Sequence, residues 1–587
     1  MRKKNVGLIL IAFIFCPLFK SYTFPYKRYE EPSLLTYKFK TNPITISGVV
    51  KDKESGESLP FANVIVKDTN IGSITNEDGF FTLFNVPSDA STIQVQFMGY
   101  KTEILTLTTE LVNDKIIILM TPDSNQLEEV VLSLDSGKEI IQMNKNVSQI
   151  SLSPKKLASI PNLGEKDIFR ALQLLPGISG TNESSSGLYI RGGTPDQNLV
   201  LLDGFTVYHV DHFYGFFSAF NSDVIKDVQL FKGGFPAKYG GRISSVMDLT
   251  GKTGNSNKFT LSSSISLLSA NATVEIPIGN KANILISGRR SYTDILKSRL
   301  YKSIFDLYND SAPTNNSNLP FQARVVQNQL QPSFYFYDLN AKLSYKPSEK
   351  DIISVSIYNG EDNLDSSREN QNTILRGTEE ERTIITDIED LLNWGNLGSS
   401  VRWARQWSDR FYTNIVGAYS NYFSQRKRIN NLNIQLADST ITNKIGLLED
   451  NNLKDYTLRI HNEFKINSKH SLEFGGQLTK NEVDYKYSIN DTTTVVSQND
   501  KGFLSTVYLQ DKWDPIKNLS IIGGIRATHF DVSDDIFYEP RLSISYQLNN
   551  QVELKGAWGK YYQFVNRIVR EDVSQGSRDF WLLANGN

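Results

Sequence analysis

Residues 188–204 read LYIRGGTPDQNLVLLDG, and this stretch decides the fold of the middle of the chain. Leu188 to Ile190 are typical of a short strand, and Arg191-Gly192-Gly193 follows as a glycine turn. Leu199 to Leu202 form an apolar run of the kind found in buried strands. Asp203-Gly204 is a dipeptide that favours a tight turn. The stretch therefore predicts two short strands, each of which ends in a turn.

The flanking sequence adds a helix and further strands. Lys166 to Leu175 carries apolar residues at helical spacing, and Pro176-Gly177 stops the pattern. Val224 to Phe231 is typical of either a helix end or a strand, and Val246 to Leu249 is typical of a strand. Residues 140–250 therefore predict a small α+β domain.

Five short motifs of this region resemble the plug domain of TonB-dependent receptors. In chain order they are Pro176-Gly177, Ile190-Arg191-Gly192, Leu201-Leu202-Asp203-Gly204, Ile225 to Val228 with Lys232-Gly233, and Tyr239-Gly240. Gly233 to Ala237 read Gly-Gly-Phe-Pro-Ala where many relatives have Gly-Pro, which indicates a subfamily. The resemblance implies a plug that fills the lumen of a large outer-membrane barrel.

A plug inside a polar lumen needs charged groups that pair with the barrel wall. Arg191 and Arg242 stand beside glycines that allow a close backbone approach, so we predict that both arginines pair with the wall. The alternative is that they are solvated arginines on turns.

The first 24 residues look like an export signal. Arg2, Lys3 and Lys4 precede an apolar run from Val6 to Phe15, which fits a signal peptide and is too short for a membrane-spanning helix. Cys16 is the only cysteine of the 587 residues, and it lacks the small preceding residue expected of a lipidated cysteine. Residues 25–43 read as a polar linker.

Residues 44–121 contain short alternating segments separated by turn signals, which predicts a β-sandwich of about seven strands. The stretch resembles the carboxypeptidase regulatory-like domain in four motifs, which are Gly48-Val49-Val50, Leu59 to Val64, Thr75 to Phe81 and Gly99-Tyr100. The resemblance implies an Ig-like or prealbumin-like sandwich without catalytic activity, of a type that often precedes Bacteroidetes outer-membrane receptors.

The tether at 122–139 contains Leu127-Glu128-Glu129-Val130-Val131-Leu132. An acidic step followed by β-branched residues can add as a strand to the sheet edge of a partner. The segment resembles the TonB box, which pairs with the energy-transducing protein TonB. The alternative is one more strand or a plain linker.

Long alternating segments recur through 251–587, as lipid-facing strands require. Tyr335 to Tyr345, Leu458 to Ile466 and Val507 to Trp513 are clear examples. Polar stretches at 307–319, 360–390 and 426–455 read as extracellular loops. About 14 segments are recognisable, whereas the resemblance implies about 22 strands. We therefore expect a mainly β fold in which an incomplete antiparallel transmembrane β-barrel follows the sandwich and the plug, and we expect that the C-terminal strands are missing.

Composition and motifs exclude several classes of protein. A net charge of −2 leaves no basic surface for nucleic acid, and a mean hydropathy of −0.32 excludes a protein with many apolar helices. No metalloprotease, nucleophile-elbow or CxxC motif is present. His209, Asp211 and His212 lie close in sequence, but packing at the plug apex is a simpler explanation than a metal site. We expect no enzyme activity and no cofactor.

The resemblance implies TonB-dependent active uptake of a siderophore, glycan, peptide or vitamin through the outer membrane. The N-terminal domain would lie in the periplasm, and a surface lipoprotein lid stays open as a further partner. The loop after Asp203-Gly204 is aromatic, so Tyr208, His209, His212 and Tyr214 are candidate ligand contacts. The alternatives are a surface adhesion protein that binds through the sandwich and, less favoured, an exported enzyme.

Overall fold

The computed structural model describes residues 43–69, 71–87, 91–108, 115–123, 141–143, 147–154, 165–180, 187–212, 215, 217–303, 332–374, 382–436, 438–490, 493–549, 551–570 and 578–584. The predicted signal peptide, the predicted box at 127–132, Tyr214 and the predicted loop at 307–319 lie outside these described residues. The described chain folds into a β-sandwich, a plug and a large sheet that we call the wall.

The sandwich is built from β1 (Ile44–Asp52), β2 (Asn63–Val66), β3 (Gly72–Ile74), β4 (Phe80–Val86), β5 (Thr92–Gln96), β6 (Glu103–Thr106) and β7 (Ile116–Met120). One sheet has the order β4-β1-β7, and the other has the order β3-β2-β5-β6. Their facing apolar side chains, including Val50, Val64 and Ile118, form one buried core. The predicted β-sandwich is therefore confirmed.

The plug contains one α-helix among its described residues, α1 (Ile168–Gln173), and a 3₁₀ turn at Pro195–Gln197. Its strands are β8 (Ile141–Met143), β9 (Gln149–Leu152), β10 (Ile178–Ser179), β11 (Tyr189–Ile190), β12 (Asn198–Leu202), β13 (Phe205–Thr206), β14 (Asp211–His212), β15 (Phe217–Ser218), β16 (Ile225–Phe231) and β17 (Ser245–Gly251). The main sheet has the order β13-β12-β17-β16-β9-β8.

Capping by a side chain explains the start of the helix, and pairing with two neighbours explains the strand at Ile225–Phe231. The Asp167 carboxylate caps α1 by accepting from the backbone N–H groups of Phe169 at 2.8 Å and Arg170 at 3.1 Å. The predicted segment forms β16, which pairs with β17 along one edge and with β9 along the other. Six of its seven residues are buried. No described helix is long and apolar enough to cross a membrane.

The wall is one antiparallel sheet of fourteen strands within the described residues. They are β18 (Thr260–Ile265), β19 (Ser269–Ile278), β20 (Ala282–Ser291), β21 (Ser333–Ser348), β22 (Asp351–Asp365), β23 (Arg368–Ile374), β24 (Arg382–Ser408), β25 (Phe411–Gln435), β26 (Thr440–Lys465), β27 (His470–Ile489), β28 (Thr493–Ile516), β29 (Leu519–Phe530), β30 (Asp535–Gln547) and β31 (Glu553–Gly559). They pair in sequence, except that β23 pairs only with β24 and β22 also pairs with β24. A separate pair, β32 (Val565–Arg570) and β33 (Arg578–Leu583), follows.

The two faces of the wall differ as the alternation predicts. On β21, Leu339 is 52% exposed, whereas its neighbour Asp338 is 0% exposed and faces the plug. Leu458, Leu509 and Ile544 are likewise exposed on later strands. The outward apolar positions are therefore confirmed as one face of a barrel-type sheet.

The prediction that residues 360–390 and 426–455 are loops is wrong for most of both stretches. Residues 382–390 begin β24, and 426–435 and 440–455 belong to β25 and β26. These strands have 25 to 27 residues, far more than the roughly 10 that a tilted strand needs to cross a bilayer. Their polar ends pair with each other, because backbone pairing satisfies the chain whatever the side chains are.

Candidate functional site

The contact between the plug and the wall begins at the Asp203-Gly204 turn. Both residues have positive φ, 47° and 91°, as a two-residue turn between β12 and β13 requires. The Asp203 carboxylate accepts from Lys342 Nζ at 2.6 Å and Ser356 Oγ at 2.9 Å. Burial opposes ionisation of Asp203, but the charge of Lys342 together with the hydrogen bonds that the carboxylate accepts outweighs burial and lowers the pKa. This plug motif is thus paired with β21 and β22.

His212 forms a second contact, in which both ring nitrogens meet carboxylates of the wall. Nε2 lies 2.8 Å from Asp338 Oδ1, and Nδ1 contacts Asp362 Oδ1. The ring stacks on Phe336, with the ring centroids 4.3 Å apart. Burial lowers the pKa of His212, but the two carboxylates outweigh burial and raise the pKa to about 10. His212 is therefore a buried cation at neutral pH.

Arg289 of β20 reaches from the wall into the plug. Its Nη1 lies 2.9 Å from Glu165 Oε2, and its Nη2 donates to the carbonyl oxygen of Ser218 at 2.8 Å. Its Nε also donates to Asp338 Oδ2 at 2.6 Å. Arg289, Asp338 and His212 therefore form one buried charge network across the interface.

Strands β28 to β30 hold the plug segment 235–239 through its backbone. Arg541 Nη1 donates to the carbonyl oxygens of Pro236 at 2.6 Å and Tyr239 at 2.7 Å. Arg526 Nη1 donates to the carbonyl of Lys238 at 3.2 Å, and Gln510 Oε1 accepts from the N–H of Ala237 at 2.8 Å. The subfamily segment Gly233 to Ala237 is thus bound by arginines of the wall.

The two arginines predicted to pair with the wall lie in different surroundings. Arg191 is exposed, has a φ of 50°, and lies beside Gly233. Arg242 is buried, and its guanidinium lies 5.4 Å from the ring centroid of Trp581 on β33 and 5.7 Å from that of Tyr208. Arg242 therefore meets aromatic rings, and pairing of either arginine with a charge of the wall stays a prediction.

The described candidate ligand contacts gather at the interface. The Tyr208 hydroxyl donates to Asp455 at 2.8 Å, and Trp394 Nε1 donates to His209 Nε2 at 2.7 Å. Tyr208 and Arg242 also line a small cavity between the plug and the wall. His212 lies between Asp338 and Asp362, as described above. Ligand contact by these residues stays a prediction.

The residues of the wall that complete these contacts were not identified from sequence. These residues are charged and lie at inward positions of strands whose outward positions are apolar, and they are Asp338, Lys342, Arg526 and Arg541. In a barrel strand, residues that face lipid alternate with residues that face the lumen. A charged residue between two apolar, lipid-facing ones therefore points towards the plug, and this signal could have identified them.

Three protein-family descriptions match consecutive parts of the chain. The CarboxypepD_reg-like domain matches residues 46–132, a range that includes the predicted box. The TonB-dependent Receptor Plug Domain matches 146–246. The description TonB dependent receptor-like, beta-barrel, matches 305–567. The three matches follow one another along the chain in this order.

Curated relatives are receptors of the same family. The chain is similar to TonB-dependent receptor P3 of Formosa agariphila, with 26% identity over 39% of this chain and 23% of that protein. It is also similar to TonB-dependent receptor SusC of Bacteroides thetaiotaomicron, with 28% identity over 28% of this chain and 16% of that protein. The matched part thus spans less than a quarter of either relative.

Solved structures give weaker likenesses. The outer membrane transporter YddB from Escherichia coli has 12% identity and a TM-score of 0.48, and the match covers 72% of this chain and 63% of that one. A mutant of the ferric enterobactin receptor PfeA from Pseudomonas aeruginosa has 14% identity and a TM-score of 0.44, with coverage of 75% and 66%.

The domain matches and the fold agree with one another. The relatives are receptors and not enzymes, and neither an adhesion protein nor an exported enzyme receives support. Proteins of this class lie in the outer membrane with the plug and the N-terminal region towards the periplasm. The chain belongs to the TonB-dependent receptors of the Bacteroidetes type, with an N-terminal carboxypeptidase regulatory-like domain and a plug.

Proposed function

We propose that the complete receptor imports a ligand across the outer membrane with energy from the periplasmic TonB complex. One observation carries the proposal, which is the charged contact between the plug and the wall. Asp203 pairs with Lys342, His212 with Asp338, and Glu165 with Arg289. A plug that is held by ion pairs obstructs the lumen and can still leave, because water can replace each partner.

The energetics favour a removable plug. Desolvation offsets much of the Coulomb attraction in a buried ion pair, so such pairs add less net stability than their number suggests. The apolar core of the plug is built mainly from its own residues, such as Leu172, Val228 and Leu249. Movement against the wall can therefore break charged contacts and leave most of this core packed.

Coupling to TonB is assigned to Leu127-Glu128-Glu129-Val130-Val131-Leu132. This segment joins the sandwich to the plug, and its β-branched end is suited to pairing with a strand edge of TonB. The ligand stays one of the four classes named from sequence, namely siderophore, glycan, peptide or vitamin, and a lipoprotein lid is a further partner to test.

Deletion of 127–132 in the complete receptor tests the coupling. Growth on a panel of iron, carbon, peptide and vitamin sources first identifies a compound that needs the receptor. We expect the deletion to abolish growth on that compound, because the plug receives no pull, while cells still bind the labelled compound. Deletion of residues 133–138 shortens the tether equally and is the matched control. Growth of the 127–132 deletion at the normal rate would refute the box.

A further inference from the structure

The sandwich sits at the end of the wall opposite the long connection between β20 and β21, which comprises residues 292–332. The hairpins β24–β25 and β26–β27 turn there at Asp409-Arg410 and at residues 466–469. The longer loops of an outer-membrane barrel are extracellular, so the end opposite residues 292–332 is the periplasmic one. Ser47 Oγ donates to Asp409 Oδ1 at 2.7 Å, and Asn85 Nδ2 donates to Ser468 Oγ at 3.0 Å. The sandwich is thus docked on the periplasmic mouth.

Asp78 is the buried centre of this docking. Its carboxylate accepts from Arg402 Nη1 and Nη2, each at 2.8 Å, and from the Tyr412 hydroxyl at 2.7 Å. Phe80 packs beside it against a small apolar cluster of the wall that contains Tyr412. A bidentate pair between arginine and a carboxylate is among the strongest polar contacts in proteins. Asp78 is only 5% exposed, so water competes little for this pair.

Glu77 links three parts of the molecule at one point. Its Oε1 lies 3.1 Å from Lys238 Nζ of the plug, and its Oε2 accepts from Asn414 Nδ2 of the wall at 2.9 Å. Lys238 belongs to the plug segment 235–239 that Arg526 and Arg541 hold from the other side. A sandwich side chain therefore helps to fix the segment that anchors the plug.

We propose that the N-terminal sandwich is a periplasmic latch on the plug, with Glu77 and Asp78 as the residues that engage. The docked sandwich holds segment 235–239 through Lys238, and its release frees that segment. The latch is distinct from uptake, and it can be observed in the absence of both a ligand and TonB. The carboxypeptidase regulatory-like domain would thus have a mechanical role in the receptor.

Disulfide trapping in the complete receptor measures docking. Asn85→Cys with Ser468→Cys places two thiols across the sandwich–wall contact, in a chain whose single natural cysteine is Cys16. We expect rapid closure of this disulfide in the otherwise natural protein. Asp78→Asn should slow closure about tenfold or more, because the variant lacks the charge with which Arg402 pairs in a buried site.

Two further variants keep this measurement decisive. The turn at Asp78 is shaped by Asn76, whose Oδ1 accepts from the N–H groups of Asp78 and Phe80, so Asp78→Asn preserves it. Arg402→Gln removes the same contact from the wall and leaves the sandwich sequence intact, and we expect the same slowing. Asp68→Asn changes an exposed carboxylate of the sandwich and should leave the rate unchanged.

Hydrogen exchange reports whether docking reaches the plug. Asp78→Asn and Arg402→Gln should speed amide exchange in residues 235–249 about tenfold, and the closed 85–468 disulfide should restore protection until it is reduced. The exposed pair Thr373→Cys with Thr383→Cys, on neighbouring strands of the wall, is the control disulfide and should restore nothing. Unchanged trapping in both variants, or slower trapping with unchanged plug exchange, would overturn the latch.

Discussion

Among single residues, His212 shows most directly how charge seats the plug. The imidazole lies between Asp338 and Asp362, and all three side chains are at most 2% exposed. Its positive charge balances a site that already contains two carboxylates and Arg289. Loss of one member of such a network leaves an uncompensated buried charge, which costs far more than an exposed pair.

We predict that His212→Gln lowers the free energy of plug release by about 3–5 kcal/mol, the usual cost of breaking a buried ion pair. The urea concentration that releases the plug, followed as conductance of the complete receptor in a planar bilayer, measures this change. His529→Gln alters an exposed histidine of the wall and should have no effect. Equal release midpoints for His212→Gln and the natural protein would contradict the assignment.

The same histidine gives a direction for the dependence on pH. The pKa of His212 is raised from 6.5 to about 10, so its contribution to plug seating is complete below pH 6.5. That contribution is lost as the pH rises through about 10. We therefore expect the release midpoint of the natural protein to fall over this alkaline range, and that of His212→Gln to fall less.

Among the elements, the β12–β13 turn requires glycine for two independent reasons. Gly204 has a φ of +91°, and a Cβ at this position would lie 2.9 Å from Val416 Cγ1 of the wall. The turn is therefore both a backbone device and a close contact between the plug and β25.

We predict that Gly204→Ala weakens plug seating by roughly 1–3 kcal/mol through backbone strain and overpacking. Val416→Ala in the same protein should recover part of the loss, since it relieves the contact and not the strain. Gly417→Ala, beside Val416 but with open space at its Cβ, is the control. The urea midpoint for plug release measures all three, and a midpoint unchanged by Gly204→Ala would be the contrary result.

Element identity could be predicted from sequence where period and turn chemistry agree. The alternation of β21, the Asp203-Gly204 turn and the helix stop at Pro176-Gly177 are all local signals. The length of β24 to β26 could not be predicted, because their outer halves have the composition of loops and are ordered by pairing with neighbours. Composition alone does not report such pairing.

The site was less predictable than the fold, for a reason of distance along the chain. Asp338 and Asp362 lie 126 and 150 residues after His212, and Arg402 lies 324 residues after Asp78. Local patterns identified the plug motifs that carry Asp203 and His212. They could not identify partners that are far apart in the sequence and meet only in the folded chain.

For the molecule as a whole, the three domains meet through titratable groups. Burial opposes ionisation of Glu77, but Lys238 and Arg402 outweigh it and lower the pKa from 4.5 to about 2. Because the docked pKa is the lower one, the contribution of Glu77 is complete above pH 4.5. It is lost as the pH falls through about 2.

We therefore predict that the sandwich leaves the wall as the pH is lowered from 4.5 towards 2. Spin labels on Asn85→Cys and Ser468→Cys, placed across the contact, measure the separation directly. Glu77→Gln should reduce the dependence on pH, because the titrating carboxyl is gone. A label distance that stays constant over this range in the natural protein would contradict the prediction.

The docked sandwich also changes what a pull on the tether means. Residues 124–140 join Asp123 of the sandwich to Ile141 of the plug, so the predicted box lies between two anchored ends. Tension applied in the middle of such a segment divides between both attachments, whereas a free N-terminus would deliver all of it to the plug. The 17 residues can extend to about 60 Å at most, so slack is limited. Under the proposed coupling the sandwich and the plug share the load, and the order in which the two attachments yield sets the force at which the lumen opens.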